Sequence, residues 1–325
     1  MKRIGTFFLA FVLLFSLTSF GGVIQGKHRA ETIPGYTAEQ GPAIGPGLTA
    51  NQNSAANQGL TANPGLPANQ AADALEAVRQ RGVLLVGTAG DYMPMSYLDP
   101  VANKYVGFDA ELAEDLAKAL GVELQYVKTS WPTLMEDTLA GKFDLAICGI
   151  TITEQRKEQA LMSEGYLGNG KTVLCRAEDA RRFTSLEAIN RPEVRVMENP
   201  GGLNEKFARA NLPNATLTIH EVNQEIPGLV AEGAADVMIT EIMEAGYYVG
   251  KDSRLAAPLI YEPFTRGELG VLMPKGSESL LAYVNQFLEE EKKSGRIGEL
   301  AAEYIYRFTR NGGSAPEETT LPEAS

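Results

Sequence analysis

Cys148-Gly-Ile-Thr-Ile-Thr-Glu-Gln-Arg156 decides how this chain is read. The apolar run from Phe143 to Cys148 predicts a strand that ends at Gly149. Thr151 and Thr153 then lead into a helix start carrying Glu154 and Arg156. Free N–H groups, hydroxyls and a guanidinium at one strand-to-helix junction make a place where a carboxylate can be held. The plain alternative, which the pattern alone favours, is an N-capped helix with Arg156 on its surface.

Working outward, the same strand-then-helix style repeats. Val83–Gly87, Glu123–Val127, Val194–Met197, Thr216–Ile219, Ala235–Ile239 and Leu269–Met273 read as short strands. Helical spacing is clearest from Asp109 to Leu120, where Leu112, Ala113, Leu116 and Leu120 share a face and Gly121 stops the helix. Further helices are expected over Trp131–Ala140, with Pro132 early, and over Leu203–Ala210, Glu225–Glu232, Ser277–Lys293 and Ile297–Phe308. Such alternation predicts α/β sheets, mostly parallel, with ligands at the carboxyl ends of the strands. Two similar series imply two lobes with a cleft between them.

Not all of the 325 residues belong to that unit. Lys2 and Arg3 followed by an apolar run from Phe7 to Leu17 read as a signal peptide over 1–26, an uncleaved anchor being the alternative. Residues 27–72 repeat Gly-Leu-Thr-Ala-Asn-Gln at Gly47, with variants at Gly59 and Gly65, and hold no charge between Glu39 and Asp73. That is a low-complexity linker, with too little apolar surface to offset chain entropy. The Gly/Ser/Pro/Glu-rich tail 311–325 reads the same way. Loss of 1–26 moves the net charge from −12 to −14, because Lys2 and Arg3 go with it. An acidic exported domain spanning 73–310 results, and binding to nucleic acid through a basic face is excluded.

The counts narrow the chemistry. Two cysteines, Cys148 and Cys175, cannot build a zinc ribbon, although they leave one disulfide open. Two histidines, His28 and His220, leave little room for metal sites or a Ser-His-Asp triad, and His220 at a strand end reads as structural. Asn199-Pro-Gly-Gly-Leu-Asn204 follows a strand, and Gly201 and Gly202 let backbone approach an anion. Tyr92 and Trp131 each follow a strand, where they either pack in the core or flank a ring. Glu241 and Glu244 share one face of a helix start, a placement that by itself means only a charged surface.

Taken together, Phe108-Asp109, Gly149–Arg156 and Tyr166-Leu167 resemble the extracellular solute-binding proteins of polar amino-acid transporters. The resemblance implies a type II periplasmic-binding-protein-like fold. Lobe 1 is then 73–171 with 269–310 and lobe 2 is 172–268, joined by hinge strands around Lys171–Cys175 and Leu269–Met273. Within that group, Thr88–Tyr92, Thr129–Met135, Asn169-Gly-Lys171, Asn199–Asn211 and Thr240-Glu-Ile-Met-Glu-Ala245 are similar to the periplasmic cyclohexadienyl dehydratases. Those enzymes decarboxylate and dehydrate prephenate or arogenate and need no metal or organic cofactor.

The likeness implies Glu244 as the general acid that protonates the leaving hydroxyl. It implies that Arg156, with Thr151 and the Gly201-Gly202 turn, holds the side-chain carboxylate, with Gly149 and Asn204 among the substrate-binding residues. Tyr92 and Trp131 would flank the ring, Lys171 would contact a carboxylate or the hydroxyl, and Asp91 and Glu241 would complete the binding set. Departures from the family pattern are Leu203 for Thr, Glu241 for Asp and Met95 for Phe. The alternative is a non-catalytic receptor that delivers an amino acid or related carboxylate to an ABC transporter permease. Both readings expect a small dicarboxylate or amino-acid ligand.

Overall fold

In the computed structural model, residues 73–306 are described. The expected signal peptide, linker and tail therefore lie outside the described residues. The chain runs α1 (Ala74–Arg81), β1 (Val83–Thr88), β2 (Asp91–Tyr92), β3 (Ser96–Asp99), β4 (Lys104–Val106), α2 (Phe108–Leu120), β5 (Glu123–Lys128), α3 (Leu134–Leu139) and β6 (Leu145–Ala146). It continues through α4 (Glu154–Gln159), β7 (Leu161–Met162), β8 (Leu167–Asn169), β9 (Lys171–Arg176), α5 (Leu186–Ile189), β10 (Arg195–Glu198), α6 (Leu203–Asn211) and β11 (Thr216–Ile219). The last elements are α7 (Ile226–Ala231), β12 (Val237–Glu241), α8 (Ile242–Lys251), β13 (Leu255–Ala256), β14 (Gly267–Leu269), β15 (Leu272–Met273), α9 (Glu278–Ser294) and α10 (Arg296–Ala301).

Two five-stranded sheets result, ordered β5-β1-β6-β15-β7 and β11-β10-β12-β9-β13. In each, the βαβ series supplies two parallel pairings and the remaining two are antiparallel. The sheets are thus mixed, where mostly parallel ones were expected. The reason is the crossing: β9 and β15 follow the strands that pass between the sheets, and each enters its sheet against the local direction. Those passing strands are β8 and β14, paired antiparallel from Leu167↔Leu269 to Asn169↔Gly267. The expected hinge positions around Lys171–Cys175 and Leu269–Met273 are therefore displaced by a few residues. Gly170 explains the location, because a Cβ there would lie 2.1 Å from the Thr265 carbonyl oxygen and only glycine permits so close an approach.

Local physics accounts for the elements. In α2, Leu112, Ala113, Leu116 and Leu120 are all buried, and Gly121 closes the helix in the left-handed conformation. They pack with Leu84, Val86, Leu145, Leu280, Val284 and Leu288 in the core of the first sheet. Each fully buried Leu or Val there contributes about 1.5–3 kcal/mol. Val173, Phe183, Ile189, Val196, Val237 and Ile239 form the corresponding core of the second sheet.

Some elements are shorter than the spacing predicts. α3 begins at Leu134, not Trp131, because the residue before a proline is pushed out of helical geometry and 131–133 form a turn. The late strand splits at Gly270 into β14 and β15. The meander β2-β3-β4 was not expected at all. Cys148 and Cys175 are both free and buried, so the open question of a disulfide is answered by two thiols.

Candidate functional site

The site is assembled from strand ends. Tyr92 follows β1, Trp131 follows β5, Gly149 and Thr151 follow β6, Asn199 and Gly202 follow β10, Asn223 follows β11, and Glu241 ends β12. These residues, with Arg156, Leu203, Asn204 and Glu244, line one cleft between the two sheets.

Two carboxyls dominate its electrostatics. Glu241 ends β12 and Glu244 lies in the first turn of α8, both buried. Burial raises the Glu241 carboxyl, but Lys171 and the hydrogen bonds around it outweigh that and hold it below its ordinary value. Lys171 Nζ lies 2.7 Å from Glu241 Oε1, Thr151 Oγ1 donates to the same oxygen at 2.9 Å, and the Tyr92 hydroxyl donates to Oε2 at 2.5 Å. Glu241 is an ionised carboxylate inside a buried ion pair.

Glu244 has the opposite surroundings. It is 0% exposed and forms no salt bridge among the described residues; Thr240 Oγ1 donates to Oε2 and Asn223 Nδ2 to Oε1 at 2.7 Å. Burial pushes its carboxyl up to about 8, with the charges of Glu241 and Asp91 adding to the shift and the two hydrogen bonds opposing it. At neutral pH Glu244 therefore carries a proton in a cleft wall.

The other side of the cleft carries a guanidinium and two helix starts. Thr153 caps α4 by accepting from the Arg156 backbone N–H at 3.2 Å, and the Arg156 side chain turns back to donate to the Thr151 carbonyl at 2.5 Å. Arg156 thus belongs both to a capped helix start and to the cleft lining. No salt bridge reaches Arg156 among the described residues. Gly149 adopts φ 76°, and its N–H is held by the Asp109 carboxyl, which also accepts from the Tyr166 hydroxyl at 2.8 Å. A Cβ at Gly149 would strike the Tyr92 ring at 2.2 Å. Opposite, the first turn of α6 brings Gly202, Leu203 and Asn204 to the wall, with amides that have no partner inside the helix.

The rings of Tyr92 and Trp131 meet edge to face at 6.0 Å and 76°. Three expected binding residues stand off the wall. Asp91 is behind Trp131, accepting from its indole N–H at 3.0 Å. Lys171 is used by Glu241 and by Asn204 Oδ1 at 2.5 Å. Gly201 packs on Pro132, which a Cβ would meet at 2.6–2.7 Å. Thr151 lines the cleft, but its hydroxyl is spent on Glu241. Asn199 and Asn223 were not singled out as binding residues. Asn199 is visible in the Asn-Pro-Gly-Gly run, whereas Asn223 opens a short 3-10 turn with no periodic signal. His220 pairs with Glu225 at 2.7 Å, away from the cleft wall.

Two mixed α/β sheets joined by a pair of crossing strands, with a polar cleft at their strand ends, define a two-lobed binding-protein fold. The chain belongs to the bacterial extracellular solute-binding proteins, family 3, whose model matches residues 84–307. It is 39% identical over 235 residues to the cyclohexadienyl dehydratase of Pseudomonas aeruginosa, covering 72% of this chain and 87% of that one. It is 28% identical to the L-cystine-binding protein TcyJ of Escherichia coli K12, covering 71% and 85%. Among solved structures it is similar to an ancestral amino acid-binding protein described as a precursor of cyclohexadienyl dehydratase, AncCDT-1. That match has a TM-score of 0.66 and 35% identity and covers 72% of this chain and all of the other.

Proposed function

We propose that this chain is an exported cyclohexadienyl dehydratase, converting prephenate to phenylpyruvate and/or arogenate to phenylalanine. One observation carries the reading: the cleft holds two buried carboxyls three positions apart, one ionised and one protonated. Environments that drive two carboxyls apart assign acid and base roles. Loss of a ring hydroxyl needs such an acid, because hydroxide is a poor leaving group. The relative at 39% identity carries that activity in its name.

In this reading Arg156 and the amides at the start of α6 hold the side-chain carboxylate of the substrate. Tyr92 and Trp131 flank the ring, and Tyr92 remains a neutral donor because burial and then the charge of Glu241 raise its phenol. The bond from the ring to its carboxylate breaks, CO2 leaves, and the electron pair enters the ring. The carbon–oxygen bond opposite breaks as Glu244 gives its proton to the departing oxygen, which leaves as water. Glu244 recovers its proton from solvent. Lys171 keeps Glu241 ionised and positions Asn204.

Membership in an extracellular family, together with the Lys2-Arg3 and Phe7–Leu17 pattern, supports export. Among the described residues no helix is long and apolar enough to cross a membrane. The deciding experiment adds prephenate to purified protein and follows phenylpyruvate, with Glu244→Gln beside the wild type. Turnover that depends on Glu244 is expected. No turnover, with tight retention of an unreacted amino acid, would instead establish a transport receptor.

A further inference from the structure

We propose that Asn223 is a second catalytic residue: its Oδ1 accepts the hydrogen of the departing hydroxyl and so turns an oxygen lone pair toward Glu244. The proposal rests on the dehydratase reading and adds a contact to it.

The orientation of the amide is fixed by its own hydrogen bonds. Asn223 Nδ2 donates to Glu244 Oε1 at 2.7 Å and to the Asp91 carbonyl at 3.2 Å. A backbone carbonyl accepts in every protonation state, so the edge facing Asp91 must be the nitrogen. That leaves Oδ1 as the remaining group. It is buried, belongs to a residue in the cleft wall, and has no hydrogen-bond partner among the described residues. Buried acceptors are almost always paired, and one left open beside a binding cleft is a position where the ligand supplies a donor.

The chemistry selects which donor. A ligand carboxylate would set acceptor against acceptor. The ring hydroxyl has one hydrogen and two lone pairs, and Glu244, bonded to the same amide, presents its proton from the adjacent position. With its hydrogen held by Oδ1, the hydroxyl is left with a lone pair facing the acid. The proton moves from Glu244 to that oxygen, the carbon–oxygen bond breaks, and the water formed leaves still hydrogen-bonded to Asn223. The amide gains and loses no proton.

Because Asn223 also touches Glu244, a fall in kcat alone would not separate the two roles. The test therefore uses two ligands: tetrahydroprephenate, which keeps the hydroxyl and cannot aromatise, and phenylpyruvate, which has lost it. In Asn223→Leu, kcat for prephenate should fall about a hundredfold. Tetrahydroprephenate should bind about tenfold more weakly, while phenylpyruvate stays within about twofold of wild type. The same tenfold loss should appear in a Glu244→Gln background, since the bond to Oδ1 does not use the acid's proton. Thermal unfolding checks the variant, and Asn223→Ala serves if Leu does not fold. Equal weakening of both ligands, or none of tetrahydroprephenate, overturns the assignment of Asn223 alone. Failure of the wild type to consume prephenate overturns the dehydratase reading and this one with it.

Discussion

Glu241 and Glu244 are buried carboxyls three positions apart that hold different protonation states, one ionised and one neutral. Lys171 at 2.7 Å keeps the first ionised, and the second, with no salt bridge among the described residues, is pushed up to about 8. The difference comes from neighbours, not from depth, since burial raises both.

Activity should follow the proton on Glu244. We expect kcat to fall as pH rises through about 8, the value to which burial pushes this group. Glu244→Gln should lower kcat by about 10²–10⁴-fold and remove that limb from any residual activity. A pH–rate profile for phenylpyruvate formation checks both.

Stability carries the same signature with a defined sign. The folded-state value of Glu244 lies above its ordinary 4.5, so between about 4.5 and 8 the folded protein binds more protons than the unfolded chain. Its contribution is therefore full below 4.5 and is lost as pH rises toward 8. Glu244→Gln should raise Tm relative to wild type at pH 8 and change it little at pH 4.5. The difference between variants isolates this group from Asp109, which burial also raises, to about 7.

Lys171→Met should destabilise the protein by about 3–5 kcal/mol, because it strands the Glu241 carboxylate in a buried site. The double variant Lys171→Met/Glu241→Gln should recover most of that loss. Urea unfolding of the four proteins of this cycle gives the coupling directly.

Arg156→Lys should raise KM about tenfold or more with little change in Tm. The fold uses Arg156 for one bond to the Thr151 carbonyl, whereas a ligand carboxylate needs the planar fork that lysine lacks. Steady-state kinetics beside a melting curve separate the two effects.

Gly201→Ala should lower kcat/KM by about a hundredfold, the scale of a misplacement near 1 Å. A Cβ there would meet Pro132 at 2.6–2.7 Å from a backbone held at φ 79°, so the second lobe could not seat on the first. At Gly202 the nearest atom is 3.9 Å away, and Gly202→Ala should be close to wild type.

How far the sequence could be read varies with the kind of signal. α2 was legible because Leu112, Leu116 and Leu120 repeat at helical spacing and Gly121 ends the run. The meander β2-β3-β4 was not, since its strands are two to four residues long and carry no sustained alternation. Glu244 reads as a charged helix face by spacing alone; only its likeness to a family motif pointed into the cleft, and the physical cause is burial, which spacing does not encode. Lys171 and Thr151 were expected to meet a ligand, yet both serve Glu241, a tertiary pairing across 70 and 90 residues. Asn223 lies in a single turn after β11 and becomes meaningful only beside Asp91, 132 residues earlier.

The crossing strands β8 and β14 bear on how the acid is recharged. Suppose the two lobes part about those strands to admit a ring-sized ligand. Lys171 and Glu241 face each other across the β9–β12 pair of one sheet and then travel together. Tyr92, Thr151 and the Asp91 carbonyl belong to the other lobe and draw away. Glu241 loses the Tyr92 and Thr151 hydroxyls but keeps its counter-ion, while Glu244, which forms no salt bridge among the described residues, meets only water. In the dehydratase reading, opening would then refill the spent acid and closing withdraw it from bulk solvent, so that each swing of the lobes admitting a new substrate would also reset the proton for the next turnover.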